Sequence, residues 1–145
     1  MATTRNARAH WEGTLFEGQG TVELTSSGIG TYPITWASRA EEANGKTSPE
    51  ELIAAAHAGC FTMALAAFLG GAGFTPQKLS TEAALTMEQV QGNWTITAVH
   101  LALAAQVPGI SREKFEEIAA NAKANCPVSR ALNAKITLAA SLETP

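Results

Sequence analysis

The chain has 145 residues, 46% of them apolar and only 16% charged, against roughly 25% charged in an average soluble protein; this is one domain's worth of chain, long enough to close a core without disulfide or metal staples. Its net charge is −3, its basic residues form no stripe, and all 13 of its acids are Glu. These features exclude nucleic acid as a partner, and with it EF-hand loops, Asp-based triads and Asp-held magnesium, while so little charge points to surface hidden in an oligomer.

Residues 9–16 alternate Trp11, Gly13 and Leu15 with His10, Glu12 and Thr14, the pattern of a half-buried strand. A turn at 17–20 and a return strand over 21–25 complete a hairpin. A third strand is predicted over 31–37, at an edge or bulge because of Pro33. The polar stretch 39–47 reads as a loop. Ser48, Pro49, Glu50 and Glu51 then supply an N-cap, a first-turn proline and two acids for the positive end of a helix dipole. That central helix runs over 50–69, is stopped by Gly70-Gly71, and spans roughly 30 Å. After Glu51 its one ionisable residue besides the Cys60 thiol is His57. Its Ala and Gly content is weak for membrane insertion, so burial on every side in a soluble protein is expected.

Two long strands over 79–90 and 93–106 meet at Gln91-Gly92, and Pro108-Gly109 ends the pair. Residues 111–124 place Phe115, Ile118, Ala119 and Ala122 on one helical face. A short helix follows from Cys126-Pro127, with Asn125 as its cap, and 135–142 closes the chain as a strand. The order βββ-α-ββ-αα-β makes the fold α+β, as one domain over 1–145.

Gly45-Lys46-Thr47 before a helix imitates a phosphate loop, but Ala40 stands where the first glycine belongs and Glu41 and Glu42 would repel phosphate. His57 and Cys60 at i and i+3 could ligate a metal, with His10, His100 or Cys126 as further ligands, yet two ligands are not a site and no metal or other cofactor is expected. The two cysteines have 65 residues between them, which is neither a CxxC pair nor a zinc finger. The first residues, MATTRNARAHWEG, hold no apolar run, so a reducing cytoplasmic setting is expected. Cys126 at a helix N-terminus should favour its thiolate, whereas Cys60, mid-helix among apolar neighbours, needs a cation, with Arg39 and His57 as candidates.

The segments AHWEG at 9–13, SPEELIAAAHAGCFTMAL at 48–65, GFTP at 73–76, VPGI at 107–110 and NCPVSRALNAKITL at 125–138 closely resemble the OsmC (osmotically inducible protein C) family of thiol peroxidases. The likeness spans nearly the whole chain, and the two cysteine blocks carry its specificity. The resemblance implies that Cys60 is the peroxidatic cysteine and Cys126 the resolving one, and that Arg39 and Glu50 activate the thiolate and orient the peroxide. The placement of Arg39 just ahead of the central helix fits the OsmC branch rather than its organic hydroperoxide resistance relatives. The reaction implied is reduction of organic hydroperoxides, and more weakly of hydrogen peroxide, through a Cys60 sulfenic acid and a Cys60–Cys126 disulfide. A dithiol, for which the resemblance suggests a lipoylated protein, would then reduce that disulfide. Helix-end logic favours Cys126 as the readier thiolate, so attack by Cys60 requires that Arg39 overcome the burial penalty.

Glu50 and Cys60 lie ten residues apart, roughly 15 Å along a helix axis, and Ala54-Ala55-Ala56 gives no reason for a break. If both serve one site, Glu50 and Arg39 act on the Cys60 of a second copy, in an intertwined homodimer with shared active sites. The alternative is a non-enzymatic dimeric module that binds a small hydrophobic ligand.

Overall fold

The structure is a computed structural model that describes residues 1–143. Contacts gather the chain into two compact units, 1–52 and the remainder from Ile53 onward. The fold is α+β, as expected.

The first unit is built on an antiparallel sheet of β1 (Arg8–Glu12), β2 (Gln19–Glu23) and β3 (Thr31–Ile34), in that order. Pro33 therefore sits on an edge strand, where its missing N–H leaves no ladder bond unmade. The first turn falls earlier than 17–20: Gly13, at φ +93°, ends β1, and the Gly18 amide closes the loop onto the Thr14 carbonyl at 2.8 Å. A side chain is strained at such a φ, so this glycine, not the later Gly18-Gly20 pair, decides where the hairpin bends.

The third strand is also shorter than the predicted 31–37, and the predicted loop at 39–47 opens with a helix. Thr35 takes an extended conformation and accepts from the Ser38 amide, while Ser38 Oγ accepts from the Thr35 amide, a reciprocal capping box that starts α1 (Trp36–Ala40). The order is thus βββ-α-α-ββ-αα-β. Arg39 stands in the last turn of this short helix.

Helix α2 (Pro49–Gly71) begins as expected, with Ser48 Oγ accepting from the Glu51 amide at 3.1 Å, and runs unbroken through Ala54-Ala55-Ala56. The second unit contains a sheet of β4 (Lys78–Val90), β5 (Asn93–Gln106) and β6 (Lys135–Leu142). β4 and β5 form a hairpin across Gln91 and Gly92, both at positive φ, which matches a two-residue turn of the twist that hairpins require. β6 lies parallel to β5, and parallel neighbours need a crossover, here α3 (Arg112–Asn125) and α4 (Pro127–Ala131).

The core of this unit joins Phe61, Leu65 and Leu69 of α2, Val99, Leu101 and Leu103 of β5, and Phe115, Ile118 and Ala119 of α3. Each large apolar side chain buried there contributes about 1.5–3 kcal/mol. The expectation of a helix buried on all sides is corrected for the single chain. His57, Phe61, Leu65 and Leu69, one row at i+4 spacing, are fully buried, whereas the opposite face, with Gly59, Met63 and Ala67, is exposed. By length and composition α2 could cross a bilayer, yet this row is committed to a protein core that includes a buried imidazole.

Candidate active site

Two constellations of chemistry-bearing side chains stand out, one in each unit. In the first, Arg39 grips Glu50 with a fork. Arg39 Nε donates to Oε1 at 2.9 Å and Oε2 at 3.1 Å, and Nη2 lies 2.8 Å from Oε1. The Glu50 side chain is 11% exposed and that of Arg39 36%, so the carboxylate is sunk while the guanidinium keeps one side open. The α1 turn and the α2 N-terminus bring these residues together, and a planar guanidinium is the group suited to a bidentate hold. Arg39 also stacks over Trp36, 5.9 Å from the ring centroid, and Phe16 meets Trp36 edge-on at 5.7 Å. Beside this assembly lies a cavity of about 390 Å³ walled by Trp11, Leu15, Ile34, Trp36 and Pro49, with Arg39 at its margin. Pairing of Arg39 with Glu50 was implied by the resemblance; the part of Trp36 was not, since its side chain reads as a strand residue until α1 is recognised.

In the second unit Cys60 of α2 and Cys126, both free thiols, place their Sγ atoms 3.1 Å apart. Nothing in their sequence spacing demanded this. Cys126 is fully buried. It caps α4 itself, its sulfur accepting from the Ser129 amide at 3.4 Å. This corrects the assignment of Asn125 as that cap: the Asn125 amide donates instead to the Asn121 backbone and side chain.

The two thiols are polarised in opposite directions. Burial pushes the Cys60 thiol up, the neighbouring Cys126 sulfur adds to the rise, and a hydrogen bond from the Val128 backbone offsets part of it. Burial works the same way on Cys126, but the Ser129 amide and hydroxyl, Cys60 and the Val128 backbone all donate to its sulfur and bring its pKa below the ordinary value. The expectation from helix-end logic that Cys126 is the readier thiolate agrees with this direction, and the donors responsible are local hydrogen bonds.

His57, a candidate cation or metal ligand in the sequence, is fully buried with its Nε2 2.7 Å from Ser129 Oγ. Burial lowers its pKa and keeps the ring neutral, so it does not supply the positive charge that Cys60 needs. His10 pairs with Glu12 on an exposed strand, and His100 meets Thr137 at 2.6 Å. Among the described residues no three His, Cys or Glu side chains gather as a metal site would require. Ser129 is the residue that the sequence reading passed over. Its signal was present in the Cys-Pro-Val-Ser run, which sets a serine at the third position of a helix that a cysteine caps.

The model of the OsmC-like protein family matches residues 42–141. The Peroxiredoxin OsmC of Escherichia coli is 44% identical over 138 residues, 95% of this chain and 96% of that protein. An organic hydroperoxide resistance protein OsmC from Legionella pneumophila superposes with a TM-score of 0.74 at 25% identity, covering 97% of this chain and 98% of that one. The organic hydroperoxide resistance protein of Elizabethkingia anophelis shares the fold, with a TM-score of 0.73 at 23% identity over 99% and 100% of the two chains. With identity of this order along almost its entire length, and with the family model covering more than half of it, the chain belongs to the OsmC family.

Proposed function

We infer that the protein is a thiol peroxidase in which Cys60 attacks organic hydroperoxides and Cys126 resolves the product. The observation that carries this reading is the pair of free sulfurs 3.1 Å apart in a chain 44% identical to a peroxiredoxin. The Cys60 thiolate attacks a peroxide oxygen, the O–O bond breaks, and the leaving alkoxide takes up a proton to become an alcohol. Cys60 is left as a sulfenic acid, oxidised by two electrons. The Cys126 thiolate then forms the disulfide and water departs. A dithiol returns both sulfurs to the reduced state by exchange, and the reducing cytoplasm is the setting that would supply it.

Cys60 needs a cation to become a thiolate in its buried place. Arg39 is suited to this role because Glu50 fixes its fork while one side stays open. α2 is continuous between Glu50 and Cys60, and ten residues span roughly 15 Å, so the Arg39–Glu50 pair acts on the Cys60 of a second copy. Two further features support a homodimer in which the whole of 1–145 is the working unit. The open face of α2 carries Met63, 75% exposed, among Ala and Gly, small residues that permit close approach of a second helix. The β1-β2-β3 sheet buries none of its strand residues fully in one chain, and such a sheet needs a face to pack against.

An apolar wall would favour an alkyl tail over bare hydrogen peroxide, and the sequence offers Phe61, Leu65, Phe68 or a Trp of the second copy for it. Phe61 and Leu65 are fully buried core and cannot form it. The cavity of Trp11, Leu15, Ile34 and Trp36 beside Arg39 suits that tail, and it favours an organic hydroperoxide over hydrogen peroxide.

Intact-mass measurement after one equivalent of cumene hydroperoxide tests the peroxidase reading. Loss of two hydrogens, blocked in Cys60→Ser, is expected; an unchanged mass would instead favour a module that merely binds an apolar ligand. For the shared site, inactive Glu50→Ala and Cys60→Ser chains are co-refolded. Recovery of activity in heterodimers is expected, and proven heterodimers without activity would refute the arrangement.

A further inference from the structure

The peroxidase chemistry above leaves two buried residues of the second unit without a task. His57 is fully buried on α2, and its Nε2 lies 2.7 Å from Ser129 Oγ. Ser129 in turn faces Cys126 twice: its backbone N–H donates to Sγ at 3.4 Å and its hydroxyl at 3.5 Å. Cys126 Sγ stands 3.1 Å from Cys60 Sγ. Four side chains thus form one line from the imidazole to the attacking sulfur.

The tautomer of His57 gives this line a direction. Its Nδ1 is buried and has no hydrogen-bond partner among the described residues. A buried N–H without an acceptor is rarer than a buried acceptor without a donor, so the proton of the neutral ring belongs on Nε2, donated to Ser129 Oγ. The Ser129 hydroxyl hydrogen is then free for Cys126, and amide and hydroxyl aim two donors at one sulfur. With the other tautomer, Nδ1–H would be buried unpaired, Ser129 would donate to Nε2, and Cys126 would lose its hydroxyl donor.

We propose that His57 and Ser129 are positioning residues that hold Cys126 as an oriented thiolate and thereby set the rate at which a Cys60 sulfenic acid becomes the disulfide. This rests on the reading of Cys60 as the attacking and Cys126 as the resolving thiol. In the step concerned, a Cys126 sulfur lone pair forms the S–S bond and the Cys60 S–O bond breaks. The departing hydroxide takes up the proton that Cys126 gave up and leaves as water. His57 exchanges no proton in this scheme; its N–H keeps Ser129 turned toward the sulfur. The groups bearing on the Cys126 sulfur are Cys60, the Val128 and Ser129 amides and the Ser129 hydroxyl, so removing the hydroxyl, or the imidazole that orients it, should be directly legible in the Cys126 titration.

The test has two readouts. In a Cys60→Ser background, Cys126 is titrated by thiolate absorbance in the ultraviolet. Ser129→Ala and His57→Phe should raise its midpoint by roughly one pH unit, the loss of one hydrogen bond to a charged sulfur. His57→Gln, whose carboxamide keeps a donor for Ser129, should stay near the parent. In the chain with both cysteines, rapid-quench mass spectrometry follows gain of one oxygen and then loss of water, which leaves the chain two hydrogens lighter than the parent. Sulfenic acid should form at the parental rate in Ser129→Ala, and its conversion should slow by about threefold or more, because up to a tenfold smaller thiolate fraction is partly offset by higher intrinsic nucleophilicity. An unmoved Cys126 midpoint in Ser129→Ala overturns the proposal, as does parental disulfide formation in both Ser129→Ala and His57→Phe. Should the parent chain oxidise first at Cys126, or at neither thiol, the assignment of roles fails. The Cys126 titration in Cys60→Ser would then still decide whether His57 and Ser129 hold its thiolate.

Discussion

Glu50→Gln removes a charge with almost no change of shape and so asks what the grip on Arg39 is worth. Glu50 accepts from Arg39 Nε through both oxygens, with Nη2 2.8 Å from Oε1. Hydrogen bonds to a charged group contribute about 1.5–3 kcal/mol each when buried. Here the Arg39 side chain is 36% exposed, and solvent screening lowers the value, so a net loss of about 1–2 kcal/mol is expected. For a chain of this length that corresponds to a fall of about 2–8 °C in Tm. The kinetic effect should be larger, since the guanidinium would no longer be held where a thiolate needs it. An opposite charge within a few ångströms lowers an acid's pKa by about 1–3 units. Loss of that help should slow the first-equivalent oxidation of Cys60 by cumene hydroperoxide about tenfold or more, read by stopped-flow fluorescence. Arg39→Lys should fall near Glu50→Gln, because it keeps the charge but not the fork. A lower Tm with a parental oxidation rate in Glu50→Gln would show that the pair serves only the fold, and the role of Arg39 at Cys60 would have to be abandoned.

Cys60→Ser should abolish turnover, whereas Cys126→Ser should consume about one equivalent of hydroperoxide and then stall or overoxidise, as a peroxide-consumption assay with mass analysis will show; sustained turnover in Cys60→Ser would reverse the roles. Acid should destabilise the chain through His57: its pKa is lowered in the folded state, so below about 6.5 the unfolded chain binds the extra proton first and stability falls with falling pH, by up to about 1.4 kcal/mol per pH unit. Urea midpoints between pH 7.5 and 5.5 should therefore depend less on pH in His57→Gln, and an unchanged dependence would contradict the burial argument. Phe61→Ala, in the fully buried row of α2, should lose about 3–5 kcal/mol in urea unfolding. Met63→Glu, on the open face, should leave the secondary structure intact by circular dichroism and split the proposed dimer in sedimentation; an undisturbed dimer would remove this face from the proposed interface.

What the sequence disclosed follows from how local each determinant is. The β4–β5 hairpin and β6 were legible almost to the residue, because period-two alternation and the Gln91-Gly92 turn are written within a few positions of one another. The start of α2 was equally plain from Ser48, Pro49 and the two acids. Helix α1 was missed because Thr35 and Trp36 favour a strand by propensity, and its capping box pairs threonine with serine where an acid or amide usually marks the motif. The hairpin bend was misplaced because Gly13 looked like one apolar position of an alternating strand. The parallel pairing of β6 with β5, and the approach of Cys126 to Cys60, join residues far apart in the chain and leave no local trace. The cysteine pairing was accessible only through the family resemblance, and the line from His57 through Ser129 to Cys126 only through the coordinates.

In the proposed mechanism the polarity of the two thiols orders the reaction. In the single chain Cys126 holds the lower pKa and Cys60 the higher, the reverse of what attack on a peroxide by Cys60 would require if pKa alone selected the nucleophile. A thiolate buried among local hydrogen-bond donors is stabilised but poorly exposed, and Cys126 is fully buried. Cys60 is the less buried of the two, so the peroxide meets it first, provided that a cation offsets its desolvation. In the proposed mechanism, placing that cation on a fork fixed by Glu50 would separate activation from resolution: the first step would depend on the Arg39–Glu50 pair and the second on the donors around Cys126. Once Cys60 is a sulfenic acid it no longer competes for negative charge, and the neighbouring thiolate already stands 3.1 Å away. The lower pKa of Cys126 is thus useful in the second step and harmless in the first, because burial keeps that sulfur from the peroxide.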